Sequence, residues 1–259
     1  VANLVSAGNN DAFVLKLENG GSFIWARSFG GTLNDVVLGI CTDKLNNVYS
    51  TGYFINTADF DPGASIYNLI SNGFMDSYVS KLDHAGNFVW AKNLGGTQTE
   101  NGNGIITDAA CNVYSIGNFQ GTSDFDPGAG VYNLNSMGNS DIYVSNLDSS
   151  GGYNFAGAFG SSSVLADAGY AIATDLKGNV YTTGIFRSTV DFDPGPGIYN
   201  LMSSGDNDGF ILKLDSIGNF NWALKIGSTN SDQAKSLSFD KSDHLYLVGN
   251  YMSTLVAFG

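Results

Sequence analysis

Three features of the chain predict an all-β protein assembled from one repeated unit. A segment beginning at Asp11, "DAFVLKLENGGSFIWARSFGG", returns at Asp76, Asp141 and Asp208, at intervals of 65, 65 and 67 residues. A second segment, "GICTDKLNNVYSTGYF", keeps the same beat as "GIITDAACNVYSIGNF", "AIATDLKGNVYTTGIF" and "SLSFDKSDHLYLVGNY". Each unit holds four short runs of alternating apolar and polar residues, and the breaks between them carry Asp, Asn and Gly. Four antiparallel strands per unit, repeated in tandem, is the sequence signature of a β-propeller. The expected architecture is one propeller domain of about four four-stranded blades, with repeats at approximately 1–63, 64–128, 129–195 and 196–259. A sandwich has no reason to repeat itself, and a parallel β-helix would use much shorter rungs.

The elements follow in order from the residues. Phe13-Val14-Leu15-Lys16-Leu17 and Phe23-Ile24-Trp25-Ala26 read as the first two strands. Gly86-Asn87 and Gly178-Asn179 supply residues that tolerate positive φ, as tight antiparallel hairpins require. Cys111 takes the place of Gly178 in the preceding unit, which puts it in an exposed turn. With Cys41 at a different phase, two free thiols are expected. The large aromatic of one run, Trp25, Trp90, Phe155 or Trp222, has the task of filling space between adjacent blades.

Taken together, "DFDPG", "GNVYxTG" and "DxFVxKLDxxGNFxWA" resemble the bacterial β-propeller repeats found in tandem in secreted and surface proteins, especially of the Bacteroidota. The resemblance covers essentially the whole chain. It implies a propeller and an extracellular or cell-surface address, and no particular activity. The strand order also resembles the NHL-type blade, which places the innermost strands at residues 37–42, 103–107, 171–174 and 235–239. One alternating set there is small, with Gly39, Cys41, Gly104, Ala171, Ala173, Ser236 and Ser238, and lets blades converge on a narrow axis.

In this phase the chain opens on the outer half of one blade and finishes on the inner half of another. Residues 11–29 and 234–251 are expected to pair and close the ring, which would leave no exposed edge. The alternatives are a cropped piece of a longer array, and a protomer whose half blades associate with a neighbour's in a filament. The chain starts at Val1 without methionine, which points to a mature or cropped product.

Composition excludes several function classes. Lys+Arg number 11 against 24 Asp+Glu, a formal net charge of −13 that repels phosphate backbones and anionic lipid. Nucleic acid is therefore not an expected partner, and no apolar run is long enough for membrane insertion.

"DFDPG" occurs at residues 59–63, 124–128 and 191–195, each time before a long connection. Its residue types suit a structural turn. Pro62 fixes φ, Gly63 supplies a conformation other residues resist, the aspartates accept hydrogen bonds from turn amides, and Phe60 pins the loop to the blade. The second reading is a metal site, with Asp59 and Asp61, Asp124 and Asp126, and Asp191 and Asp193 offering paired carboxylates to calcium. Further acids lie on the same face of the disc, at Asp35, Glu100, Asp167 and Asp232 and at Asp11, Asp76, Asp141 and Asp208. The full EF-hand spacing is absent.

No catalytic residue is assigned. His84 and His244 replace turn residues, no GxSxG, HExxH or phosphate-binding loop occurs, and a repeat supplies like groups where catalysis needs unlike ones. The expected function is a non-catalytic structural or interaction module of the cell surface, with protein or glycan partners and self-association through its half blades. A glycan-binding lectin would instead show an exposed Trp or Tyr in each of several equivalent grooves. A lyase or glycosidase would show one central pocket with non-repeating polar residues.

Overall fold

The computed structural model describes residues 3–252 and the backbone of Ala257 and Phe258. Strands β1 (Ala12–Leu17) and β2 (Phe23–Gly31) form the first hairpin. A full unit follows, with β3 (Val36–Thr42), β4 (Val48–Phe54), β5 (Thr57–Asp59), β6 (Asn68–Ile70), β7 (Asp76–Leu82) and β8 (Phe88–Gly96). It returns as β9 (Glu100–Thr107), β10 (Val113–Phe119), β11 (Thr122–Asp124), β12 (Asn133–Asn135), β13 (Asp141–Leu147) and β14 (Tyr153–Phe159). The third copy is β15 (Ala168–Thr174), β16 (Val180–Phe186), β17 (Thr189–Asp191), β18 (Asn200–Met202), β19 (Asp208–Leu214) and β20 (Phe220–Gly227). Then come β21 (Asp232–Phe239), β22 (Leu245–Tyr251) and β23 (Ala257–Phe258). No helix occurs among the described residues.

These strands make three complete antiparallel propeller blades, β3-β4-β7-β8, β9-β10-β13-β14 and β15-β16-β19-β20, flanked by the half blades β1-β2 and β21-β22. The first strands approach closely because they carry glycine and alanine there. A Cβ on Gly39 would lie 3.3 Å from the Gly104 Cα, and one on Gly104 3.4 Å from the Ala171 Cα. β9, β15 and β21 begin three residues earlier than expected from their alternation, and β3 begins one residue earlier. A β-bulge interrupts the register between Val37 and Gly39, between Gly169 and Ala171, between Ala234 and Ser236, and at the equivalent place in β9, so the period-two pattern is readable only beyond it.

The turns are anchored by an aspartate that the alternation does not reveal. Asp43 Oδ1 accepts the amides of Leu45 and Asn47, both at 2.9 Å, and its Oδ2 accepts the Asn47 side chain at 2.8 Å. Asp83 repeats the arrangement in the outer hairpin. The fourth turn residue is left-handed, as in Gly86 at φ 80° and Gly178 at φ 82°. Cys111 adopts the same conformation at φ 66°, which confirms the turn, but it is buried rather than exposed because the preceding blade covers that turn, with Tyr49 beside it and Lys44 Nζ donating to the Ala109 carbonyl at 2.8 Å. Both cysteines are free.

The expected closing pair is not formed. β1 pairs with β2, and β22 with β21; neither has a second neighbour among the described residues. First strands touch in sequence, β3 with β9, β9 with β15 and β15 with β21. Complementary half blades establish a shared phase, but they do not set the rotation per blade that would bring the two ends together.

The long connections hold a second departure. β5 and β6 form a small hairpin, and β5 also pairs with β2 of the preceding blade through Gly30↔Asp59 and Gly31↔Ala58. β11 grips β8 in the same register, and β23 grips β20. Glycine is needed at the grip, since a Cβ on Gly31 would overlap the Thr57 carbonyl oxygen. Phe60 therefore does more than pin its own loop. It is buried between blades, 5.2 Å from the ring of Phe29 on β2, 5.5 Å from Phe54 and 4.9 Å from Tyr78. Phe125 and Phe192 repeat the wedge.

Candidate functional site

The "DFDPG" carboxylates each have a main-chain task. Asp59 Oδ1 accepts the amides of Asp61 at 3.0 Å and Tyr67 at 2.8 Å, and Asp61 Oδ1 accepts that of Gly63 at 2.8 Å. Asp124 and Asp126 repeat this with Tyr132 and Gly128, and Asp191 and Asp193 with Tyr199 and Gly195. Gly63 does not adopt positive φ, contrary to expectation. Its hydrogen atom matters instead because a Cβ would meet Asp61 Oδ1 at 2.9 Å. No three His, Cys, Asp or Glu side chains are grouped to hold a metal ion among the described residues.

The other acids are more deeply placed than sequence suggests. Asp76, Glu100, Asp141, Asp167, Asp208 and Asp232 are all buried. Asp76 packs its carboxyl against Gly95, where a Cβ would overlap Asp76 Cγ. Glu100 accepts the Gly96 amide at 3.0 Å and the Ser123 hydroxyl at 2.7 Å. Burial raises its pKa to about 7, and the nearby Asp76 charge adds to the rise. Burial likewise raises Asp167 to about 6 despite hydrogen bonds from Arg187 and Ser161. These acids hold loop amides at the blade junctions.

Two surfaces of the described residues differ from the repeated pattern. One is the pair of open edges. β7 and β13 are buried along their whole length, whereas Phe13 and Leu15 on β1 are half exposed. On β22, Tyr246, Val248 and Tyr251 are exposed. In a complete blade Val48 lies opposite Leu82 and Ser50 opposite Ser80. Carried to the open edges by the repeat, that register sets Leu245 against Leu17 and Leu247 against Leu15. The first two complete blades hold a hydroxyl pair at the second position, Ser50 with Ser80 and Ser115 with Ser145, both at 2.7 Å, and the third sets Thr182 against Leu212, so the open edges, with leucine on both sides, are the most apolar version.

The other surface is a cavity at one junction. Trp25 Nε1 and Lys16 Nζ both donate to the His84 carbonyl of the following blade, at 3.3 and 2.7 Å. Trp90 Nε1 and Lys81 Nζ do the same to Ser149, at 3.2 and 2.9 Å. Trp25 and Trp90 are buried between blades, as expected, whereas Trp222 is only partly buried. In the next unit Phe155 and Asn146 replace Trp and Lys, and neither reaches the equivalent carbonyl, Ser216. That junction holds a cavity of about 810 Å³ lined by Asp108, Asn146, Asn154, Phe155, Asp175 and Ser216 among others. The Phe155 substitution is visible in sequence; the loss of the paired lysine matters only once both donors are seen to share one acceptor.

No family model matches the chain. It is 30% identical over 102 aligned positions to the uncharacterized WD repeat-containing protein L264 of Acanthamoeba polyphaga mimivirus, covering 34% of this chain and 7% of that protein. It is 27% identical over 118 positions to the regulatory protein FlaEY of Caulobacter vibrioides, covering 46% of this chain and 12% of that protein. The chain thus spans a small part of the length of these curated relatives.

Proposed function

We propose that this chain is a propeller-type interaction module, displayed outside the cell and without catalytic activity of its own, that assembles with like repeats by completing its half blades. The observation that carries this reading is the pair of unpaired, apolar edges whose registers complement each other. A bare strand edge presents a row of unpaired amides and carbonyls and is a template for another strand. The WD repeats named in the mimiviral relative support the propeller-type scaffold. The extracellular address rests on the resemblance to secreted repeats. The non-catalytic role is supported by the burial of the most strongly raised acids, Glu100 and Asp167.

Sedimentation velocity over a range of concentrations tests the assembly. Self-association should appear and should weaken at least tenfold in Leu247→Lys or Leu15→Lys, because lysine on an edge strand opposes pairing. A chain that stays monomeric throughout, or an association indifferent to both lysines, would sink the proposal.

A glycan-binding reading has one observation in its favour. Tyr67, Tyr132 and Tyr199 are partly exposed at equivalent places, and each packs on an aromatic ring, Phe88, Tyr153 or Phe220, at 4.7, 4.9 and 4.7 Å. A glycan array screened with Tyr132→Ala as control would decide it.

A further inference from the structure

We propose that the cavity beside Asn146 and Phe155 is a receptor for a lysine side chain presented by a protein partner. The repeat supplies its own template. At two other junctions a lysine ammonium reaches across to the following blade's turn carbonyl, and Lys81 also lies 5.0 Å from the centre of the Tyr49 ring. In the unit after the cavity, Lys213 Nζ lies 3.7 Å from Asp175 Oδ2 and 4.9 Å from the centre of the Tyr181 ring. Asp108, Tyr114 and Asn146 occupy the phases of Asp175, Tyr181 and Lys213. The acceptors are kept in this unit and the cation is missing.

The acceptors have capacity left. Among the described residues the Ser216 carbonyl is reached by the Tyr114 hydroxyl alone, at 3.2 Å, whose single proton it shares with Asp108 Oδ2, where its counterparts receive two donors. Asp108 Oδ2 accepts the Asn112 side chain at 2.8 Å and the Tyr114 hydroxyl at 3.2 Å, the same set that Asp175 Oδ2 carries besides Lys213. Asn146 does not replace the ammonium. Its amide turns back to donate to the Val113 carbonyl at 3.2 Å, and its oxygen accepts from Asn154 at 2.8 Å. Phe155 offers an apolar wall for a lysine stem. One cation, Lys177, stands in the lining against the carboxylates of Asp108 and Asp175. An acidic chain of net charge −13 favours a basic partner. The interaction-module reading enters only as the source of the lysine; the receptor itself stands on the comparison between units.

The test uses Nα-acetyl-lysine methylamide as probe, titrated into the isotope-labelled chain and followed by amide chemical shifts, with the norleucine analogue as the control lacking an ammonium. The lysine probe should shift the amides around Asp108, Asn146 and Ser216 saturably, and the control should not. The variant Asn146→Lys with Phe155→Trp restores the pattern of the other units, and should fold at least as stably while losing binding tenfold or more. Should it fail to fold, Asp108→Asn serves instead; it keeps an acceptor for the turn amides, removes the charge, and should weaken binding at least fivefold. Equal shifts from both probes, no shift at tens of millimolar, or lysine binding that survives these variants would overturn the proposal. The titration requires no protein partner, so failure to find one does not change its outcome.

Discussion

Phe210 on β19 and Phe13 on β1 occupy the same position of the same repeat, yet the first is fully buried and the second is 58% exposed. Their sequence surroundings are nearly interchangeable, "DGFILKL" against "DAFVLKL". What separates them is the neighbouring strand: β19 lies between β16 and β20, while β1 has β2 alone among the described residues. Burial in a repeat protein is therefore a property of the stack and not of the unit, as nearest-neighbour energetics requires.

The largest expected effect tests that contrast directly. Phe210→Ala should cost about 3–5 kcal/mol, the range for emptying a buried aromatic site. Phe13→Ala should cost about 1 kcal/mol or less in the monomer. Denaturant melts of both would break the comparison if the two losses were equal. Should the edges pair as proposed, the Phe13 penalty should grow with protein concentration.

Next comes a pH effect confined to the buried acids. Glu100 keeps its proton in the fold up to about pH 7, against an ordinary value of 4.5, so its contribution to stability is fully present below about pH 4.5 and is lost as the pH rises through 7. Glu100→Gln should remove a loss of about 3 kcal/mol between pH 4.5 and pH 8. The amide can keep both partners, with its oxygen toward Gly96 and its nitrogen toward the Ser123 hydroxyl. A variant whose stability falls with pH as steeply as the native chain's would remove Glu100 as the cause.

The smallest expected effect concerns the loops first singled out. Asp59→Asn should cost about 1 kcal/mol or less, since the amide keeps one acceptor oxygen for Asp61 and Tyr67. Thermal melts in millimolar calcium and in chelator complete the test. A calcium-dependent rise in the native chain that Asp59→Asn abolishes would make these carboxylates ligands after all. No rise would retire the metal reading.

Much of the fold was legible. The period, the four runs per unit and the left-handed turn residues need only local chemistry, and Gly86 and Gly178 behave as their positions demand. What could not be read depends on contacts between units. Nothing local announces that Asp59 will pair with Gly30 of an earlier blade, or that Glu100 will be buried beside Asp76. The same holds at the candidate receptor. Asn146 looks like an unremarkable polar residue until Lys81 shows where its counterpart's charge goes.

The hairpin grip also gives the chain a direction during synthesis. The outer strand β8 ends at Gly96, and the strand that covers it, β11, begins at Thr122, so this outer edge waits for some 26 further residues to be made. At roughly 10 residues per second that is a delay of a few seconds. During it a nascent blade can meet the edges of neighbouring nascent chains; afterwards β11 has sealed β8, as β5 seals β2. Assembly by this route runs from the amino end towards the carboxyl end, and a ribosome stalled just after a "GNFxWA" strand would leave its most adhesive surface uncovered.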